Sequence, residues 1–209
     1  MLMFTGIVQG TAEIIDVLDA DGLRSLTMRF PPGRLAAVER GASISLDGVC
    51  LTVVSFEGDV ARFDVIDETL RLTTLGERQL GERLNFERAA TFGAEIGGHL
   101  LSGHIIGTAT VTACVETDGN LAVTLRPPAA AARFILAKGY VALDGISLTI
   151  GTVDERDGAF SVHLIPETRA VTTIGERRPG DRINLEVDSM TQAVITTVER
   201  LLAAREDTP

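Results

Sequence analysis

The sequence has few of the residues that bind metals or form disulfides: two cysteines and three histidines among 209 residues, and no tryptophan. Cys50 and Cys114 are too few for a disulfide framework, and neither belongs to a CxxC metal-binding pattern. His99, His104 and His163 form no i,i+3 or i,i+4 pair of the kind that binds zinc from a helix. The glycine patterns of phosphate loops and dinucleotide-binding loops are also absent. The sequence therefore predicts neither a metal centre nor a nucleotide-binding loop.

Basic residues and long apolar runs are scarce as well. Lys and Arg number 19 against 29 Asp and Glu, which gives a formal net charge of −10. This balance argues against sequence-independent binding to nucleic acid or to anionic membranes. No run of about 18 apolar residues is present, and no basic segment followed by an apolar stretch opens the chain. We therefore expect a soluble cytoplasmic protein with an aliphatic core, since aromatic residues make up only 4% of the chain.

One predicted hairpin occurs twice, as SISLDGVCLTVV (43–54) and as YVALDGISLTI (140–150). Each copy places Asp-Gly between two runs of alternating apolar and polar residues, which is the strongest short-range signal for a two-residue β-turn. The apolar residues of each copy fall on one face and must pack into a core. The opposite face carries small thiol and hydroxyl groups: Cys50 and Thr52 in the first copy, Ser147 and Thr149 in the second.

The repeat extends well beyond this hairpin. TGIVQGTAEI (5–14) corresponds to SGHIIGTATV (102–111), and VIDETLRLTTLGERQLGERLNFE (65–87) corresponds to LIPETRAVTTIGERRPGDRINLE (164–186). Three matching blocks in the same order indicate a tandem duplication. We expect an N-terminal domain at 1–97, a C-terminal domain at 98–187 and a tail at 188–209.

Short alternating segments separated by turn residues predict an all-β fold. About six strands per unit favour two tandem six-stranded Greek-key β-barrels, with short helices at 32–40 and 129–139. The tail 189–207 differs, because its apolar residues recur at helical spacing and form a narrow stripe. This amphipathic helix has two open interpretations: it caps the second barrel, or it mediates self-association.

The two copies differ at polar positions, which suggests that two sites of one origin have acquired different tasks. A simpler interpretation stands beside each difference, since a lone histidine on a strand is usually a surface or core residue and a lone cysteine usually a small buried one. Asp188, before the tail helix, is a natural N-terminal cap. The differing positions are His104 in place of Ile7, Cys50 against Ser147, and Asp67 against Pro166.

Taken together, several motifs closely resemble the riboflavin synthase family: MFTGIVQGTAEI, GVCLTV, IDETLR, ERAATFGAEIGGHLLSGHI, LDGISLT, HLIPET and TQAVITTVERLL. The resemblance runs from Met3 to about Arg205. It implies two β-barrels that each bind one 6,7-dimethyl-8-ribityllumazine, and a homotrimer held by the C-terminal helices. The implied reaction is a transferase dismutation, in which one lumazine gives a four-carbon unit to the other and yields riboflavin and 5-amino-6-ribitylamino-uracil. It implies no cofactor and no metal, and it adds association with lumazine synthase as a further expectation.

The resemblance also implies site residues. We expect His104, Ser147 and Thr149 to act in proton transfer, Cys50 and Thr52 to orient the partner lumazine, Phe4 to shape the pocket and Asp188 to assist. The N-terminal site would contain Gly6, Ile7, Val8, Cys50, Leu51, Thr52, Asp64, Val65, Ile66, Asp67, Glu68 and Thr69. The C-terminal site would contain Gly103, His104, Ile105, Lys138, Ser147, Leu148, Thr149, Leu164, Ile165, Pro166, Glu167, Thr168 and Arg169.

Two positions depart from the usual family pattern. Val49 stands where the family often has a first cysteine, and Arg169 stands where it commonly has leucine, so this cation either contacts a ribityl chain or reaches solvent. The rival interpretation is a lumazine-binding antenna protein, which shares the fold and binds a lumazine or flavin without catalysis. Such proteins lose the second site's pattern, whereas SGHI, Lys138, SLT and LIPET are all present here, which favours the enzyme.

Overall fold

Two closed antiparallel β-barrels follow one another in the computed structural model, which describes residues 4–117 and 119–206. The predicted all-β fold with two tandem six-stranded barrels is therefore confirmed. Met3 and Asp207, at the ends of predicted motifs, lie outside the described residues. The first barrel contains β1 Thr11–Ala20, β2 Leu23–Arg29, β3 Ser43–Leu46, β4 Val49–Glu57, β5 Val60–Ile66, helix α1 Asp67–Leu72 and β6 Arg83–Arg88. The second contains β7 Gly107–Thr117, β8 Asn120–Arg126, α2 Ala129–Ala132, β9 Tyr140–Leu143, β10 Ile146–Val153, β11 Phe160–Leu164, α3 Pro166–Val171 and β12 Arg182–Val187.

Both barrels have the same strand order. In the first, neighbours run β1-β2-β5-β4-β3-β6, and the pairing of β6 with β1 closes the sheet. The second runs β7-β8-β11-β10-β9-β12 and closes where β12 pairs with β7. Closure leaves neither barrel with an unpaired sheet edge. Because β2 lies beside β5 and β8 beside β11, the chain segments from β2 to β3 and from β8 to β9 are the long connections of the predicted Greek-key fold.

The repeated hairpin forms as predicted. Asp47 and Gly48 both have positive φ, 44° and 83°, as a type I′ turn requires. Val49 and Leu51 point into the barrel core, whereas Cys50 is half-buried and Thr52 is exposed. The strand alternation therefore places the thiol and hydroxyl groups outside the core, because successive side chains point to opposite faces. The second copy repeats this arrangement with Leu148 inside and Ser147 and Thr149 outside.

One predicted helix is wrong and another is shorter than expected. Residues 32–40 form successive turns, in which the N–H of Ala36 donates to the carbonyl oxygen of Gly33. Gly33 and Ala37 have positive φ, 77° and 55°, which an α-helix does not accommodate. At 129–139 only Ala129–Ala132 are helical, and turns complete the segment.

The tail forms helix α4, Ser189–Glu206. Asp188 caps it, because its Oδ2 accepts hydrogen bonds from the N–H and the hydroxyl of Thr191 at 2.8 and 2.7 Å. Ile195 packs against the second barrel, whereas Met190 and Leu201 are 71% and 62% exposed. The apolar stripe is therefore not the face that contacts the barrel. Within the described chain, no helix has the length and apolar character needed to cross a membrane.

A buried polar cluster joins the two barrels. The amide of Asn85 accepts from the N–H of Thr173 at 2.9 Å and donates to the carbonyl of Asp144 at 3.0 Å. Asn184 of the second barrel makes the same two bonds to the first barrel: its amide accepts from the N–H of Thr74 and donates to the carbonyl of Asp47. These reciprocal bonds link the turns of the two hairpins and fix how one barrel sits on the other.

The same hairpin turns also meet directly at their glycines. A Cβ on Gly48 would lie 2.7 Å from the backbone nitrogen of Gly145, so no side chain fits between the turns. Glycine is thus required here both for the turn conformation and for the close approach of two backbones.

Candidate functional site

Each hairpin is covered by a segment from the other half of the chain. The N–H of Ser147 donates to the carbonyl oxygen of Gly6 at 2.9 Å, and the N–H of Cys50 donates to that of Gly103 at 3.0 Å. Val8 packs against the core of the second barrel, and Ile105 against the core of the first. The structure therefore brings together residues that the sequence analysis assigned to different sites: Gly6 lies against Ser147, and Gly103 lies against Cys50. The repeat predicts sites within each copy, but the chain exchanges these segments between copies.

On the basis of this exchange we group the predicted site residues into two sets, the first rim and the second rim. The first rim comprises Cys50, Leu51, Thr52, the segment Gly103, His104, Ile105, and the stretch Asp64 to Thr69. The second rim comprises Ser147, Leu148, Thr149, the segment Gly6, Ile7, Val8, the residue Lys138, and the stretch Leu164 to Arg169.

The first rim carries Cys50 and His104. Burial raises the pKa of the Cys50 thiol, a hydrogen bond with Ser43 opposes this, and the nearby Glu186 carboxylate raises it further. The raised pKa disfavours the thiolate, which is the form in which a cysteine acts as a nucleophile. His104 is exposed, and its backbone N–H donates to the hydroxyl of Ser102 at 3.3 Å.

The second rim carries a serine paired with a histidine. The Nδ1 of His99 lies 2.6 Å from the Oγ of Ser147, and the imidazole stacks on Tyr140 with ring centroids 5.2 Å apart. Burial lowers the pKa of His99, while the charge of Asp188 opposes this shift. A neutral imidazole in contact with a hydroxyl is suited to accept a proton through it. From the sequence, His99 is tested only as a possible zinc ligand. No local pattern connects it to a serine 48 residues away.

Two buried carboxylates support the covering segments. Glu186 accepts hydrogen bonds from the N–H and hydroxyl of Ser102, both at 2.7 Å, and from the N–H of Gly103 at 3.0 Å. Glu87 accepts the equivalent bonds from Thr5, both at 2.7 Å, and from Gly6 at 2.9 Å. Burial raises the pKa of both carboxyl groups, and these hydrogen bonds oppose the shift. Sequence reasoning missed both residues, although each ends a repeat block.

Several predicted site residues point into the barrel cores. Leu51 and Leu148 are 6% and 8% exposed, and Val65 and Leu164 are almost fully buried. Their side chains therefore build the barrel wall, so any contact with a bound molecule must come from their backbone. Phe4 is also buried; it pairs with Leu101 through two backbone hydrogen bonds and packs beside Cys50.

The stretches Asp64 to Thr69 and Leu164 to Arg169 begin at the ends of β5 and β11 and continue into the short helices α1 and α3. Ile66 and Ile165 are 56% and 60% exposed, which leaves apolar side chains on both surfaces. Asp64 accepts a hydrogen bond from Ser25 at 2.6 Å. The remaining members lie in the helices: Asp67, Glu68 and Thr69 in α1, and Pro166, Glu167, Thr168 and Arg169 in α3.

Two cations of the second rim have different environments. Arg169 forms an ion pair with Glu116 on β7 at 2.9 Å. Lys138 is exposed, and its backbone has φ of 67°. Arg169 is therefore already engaged by a carboxylate, whereas the Lys138 backbone turns sharply beside the hairpin. Among residues 4–117 and 119–206, no group of three or more His, Cys, Asp and Glu side chains is arranged to hold a metal ion.

The lumazine binding domain family matches the chain twice, at residues 5–89 and 102–188. Riboflavin synthase of Escherichia coli (strain K12) is 46% identical over 206 residues, which are 98% of this chain and 96% of that protein. Riboflavin synthase of Chlamydia pneumoniae is 41% identical over 97% of this chain and 98% of its own length. The solved structure of LumP complexed with riboflavin has a TM-score of 0.82 and 30% identity, and the match covers 90% of this chain and all of that chain.

Proposed function

The chain belongs to the riboflavin synthase family, and from this premise we propose that each rim binds one molecule of 6,7-dimethyl-8-ribityllumazine. The reaction is the dismutation of two such molecules by four-carbon transfer, which gives riboflavin and 5-amino-6-ribitylamino-uracil. The two substrates together contain all the atoms of the two products, so the transfer needs no oxidant or added group. The observation that carries this function is the near full-length identity of 46% to a riboflavin synthase.

The two rims are chemically unequal, which suits two identical substrates with unequal roles. The first rim offers a protonated thiol and His104, and the second offers Ser147, which hydrogen-bonds to His99. One bound lumazine gives up four carbons and the other receives them. A shared ancestral surface that has diverged at these positions provides similar binding of both molecules with different acid–base groups.

A homotrimer would complete the site. His104 lies on the first rim, whereas Ser147 and Thr149 lie on the second, and in the family the first barrel of one subunit faces the second barrel of another. Such a contact would cover the exposed Ile66 and Ile165 and exclude water from the reacting molecules. The exposed stripe of α4, with Met190 and Leu201, would form the contact between subunits.

The side chains then have distinct roles. His104 of one subunit would act with Ser147 and Thr149 of its neighbour in proton transfer at the acidic methyl group of a lumazine, and His99 would share the Ser147 proton. Cys50 and Thr52 would orient the second lumazine. Holding both reactants in place supplies much of the rate acceleration, because it removes the entropy cost of a bimolecular encounter. The negative charge of Asp188 would favour the protonated form of the His99 imidazole, since this charge raises the pKa of His99.

The test is direct. The purified protein is mixed with 6,7-dimethyl-8-ribityllumazine alone, and both pigments are followed by chromatography. We expect one riboflavin for every two lumazines consumed. Binding of the lumazine without riboflavin formation would instead identify an antenna protein, the alternative suggested by the structural likeness to LumP.

Two further parts of the proposal concern cellular context. Both cysteines are unpaired, as expected for a cytoplasmic protein. Association with lumazine synthase would be tested by co-sedimentation of the two purified proteins.

A further inference from the structure

The carboxylates of Glu87 and Glu186 do not contact either rim's thiol, hydroxyl or imidazole through a hydrogen bond, yet each holds a covering segment. Glu186 belongs to β12 of the second barrel, but the segment that it binds lies on the hairpin of the first. Glu87 belongs to β6 of the first barrel and holds the segment on the hairpin of the second. Both side chains are buried, with 4% exposure each.

The hydrogen bonds form a continuous chain across the barrels. Glu186 accepts from the N–H of Gly103, and the carbonyl oxygen of Gly103 in turn accepts from the N–H of Cys50. Gly103 has φ of 79°, and a Cβ there would lie 2.5 Å from the Cβ of Cys50. The carboxylate therefore holds the peptide next to His104 in a conformation that only glycine adopts easily. The chain from Glu87 through Gly6 to Ser147 is equivalent.

Packing alone gives no reason for a carboxylate at these positions. Burial in a low-dielectric interior disfavours the charged group, and an amide or apolar side chain of similar size would avoid that cost. What a carboxylate offers is acceptor capacity without any donor, and here three donors from one segment converge on it.

We propose that Glu186 and Glu87 are positioning residues, each of which sets the geometry of the rim on the opposite barrel. Glu186 places His104 and the Gly103 carbonyl over Cys50, and Glu87 places Ile7 and the Gly6 carbonyl over Ser147. This inference rests on the proposed function, because it assigns each carboxylate to one of the two lumazine sites. It makes each site depend on a residue that lies in the other domain.

The variants Glu186→Gln and Glu87→Gln form a matched pair in the full-length protein. Glutamine keeps the size of the side chain but turns one acceptor into a donor that faces N–H groups. Riboflavin serves as the probe, and its binding to the first rim is read as protection of Cys50 from alkylation, with Cys114 as the reference thiol in the same chain. We expect Glu186→Gln to raise the riboflavin concentration that half-protects Cys50 about tenfold. Glu87→Gln should leave that concentration unchanged.

The total number of riboflavin molecules bound per chain gives the complementary readout. At a riboflavin concentration that fills about nine-tenths of the wild-type sites, each variant should fill one site as wild type does and only about half of the other, whereas the urea midpoint of unfolding should stay close to wild type. Equal effects of both variants on Cys50 protection, or none from Glu186→Gln, would overturn the assignment.

A milder pair covers the case in which a glutamine variant does not fold. Ser102→Ala and Thr5→Val each remove one hydroxyl donor and leave the carboxylates in place. Ser102→Ala should weaken protection of Cys50 about threefold, and Thr5→Val should not. Failure of the proposed function is separate, because it would appear in wild type itself as lumazine that is not converted to riboflavin.

Discussion

The Nδ1 of His99 lies 2.6 Å from the Oγ of Ser147, and this contact joins the segment between the barrels to the hairpin of the second barrel. It forms because the chain passes very close to the hairpin: a Cβ on Gly98 would lie 3.0 Å from the same hydroxyl. Among the described residues, the Nε2 of His99 has no hydrogen-bond partner. The imidazole is thus held by stacking on Tyr140 and by one serine.

Replacement of His99 by glutamine should lower turnover far more than it lowers stability. Glutamine can still hydrogen-bond to Ser147 but cannot accept a proton near neutral pH, so kcat should fall about 100-fold. His163→Gln is the matched control, since His163 is exposed and its Nδ1 lies 3.0 Å from the side-chain nitrogen of Asn120 and not beside Ser147. Steady-state kinetics of both variants would test this, and an equal loss in the two would contradict the assignment.

The lowered pKa of His99 also predicts how stability depends on pH. Burial keeps the folded imidazole neutral, whereas the unfolded one takes up a proton below about pH 6.5. The stabilisation is therefore present above pH 6.5 and is lost as pH falls towards the lower folded pKa. Denaturant unfolding of wild type and His99→Gln at pH 8 and pH 5.5, at one protein concentration, should show a smaller loss in the variant. Identical losses would exclude His99 as the cause.

Gly103 should tolerate alanine less well than a glycine in open space. Gly22 has a similar φ of 73°, and among the described residues no atom lies within 4 Å of the place that an added methyl group would take. Gly22→Ala should therefore cost only about 1 kcal/mol of backbone strain. Gly103→Ala adds a clash with Cys50 and must displace the covering segment. Gly103→Ala should lower the free energy of unfolding in urea and the affinity for riboflavin more than Gly22→Ala does. Equal losses would mean that displacement of the covering segment affects neither stability nor binding.

The barrels were predictable because their signals are local. Period-two alternation and Asp-Gly turns define the hairpins, and duplication of the whole pattern defines two units of equal topology. The helix expected at 32–40 failed because Gly33 and Ala37 adopt positive φ, a choice made by the surrounding fold and not visible in helix-forming residue types. The tail helix was predictable from its spacing and from Asp188 as a cap.

The site was predictable in its residue types but not in its pairing. A repeat predicts that Gly6 belongs with Cys50, because both lie in the first copy. The chain instead places Gly6 on Ser147 and Gly103 on Cys50. This exchange depends on contacts between residues far apart in sequence, which no local pattern records. For the same reason the sequence did not identify Glu87 and Glu186, whose partners lie more than 80 residues away.

Removal of helix α4 should dissociate the proposed trimer and abolish most activity. If His104 and Thr149 meet only across subunits, a monomer would bind lumazine but would not bring the two substrates together. A chain ending at Asp188 should therefore sediment as a monomer with much-reduced turnover. Leu201→Glu tests the same contact within the full chain, because it places a charge on the exposed stripe, whereas Ala203→Glu adds the same charge on another exposed face of that turn. Weaker association and lower turnover in Leu201→Glu alone would support the helix contact, and an active trimer that survives removal of α4 would refute it.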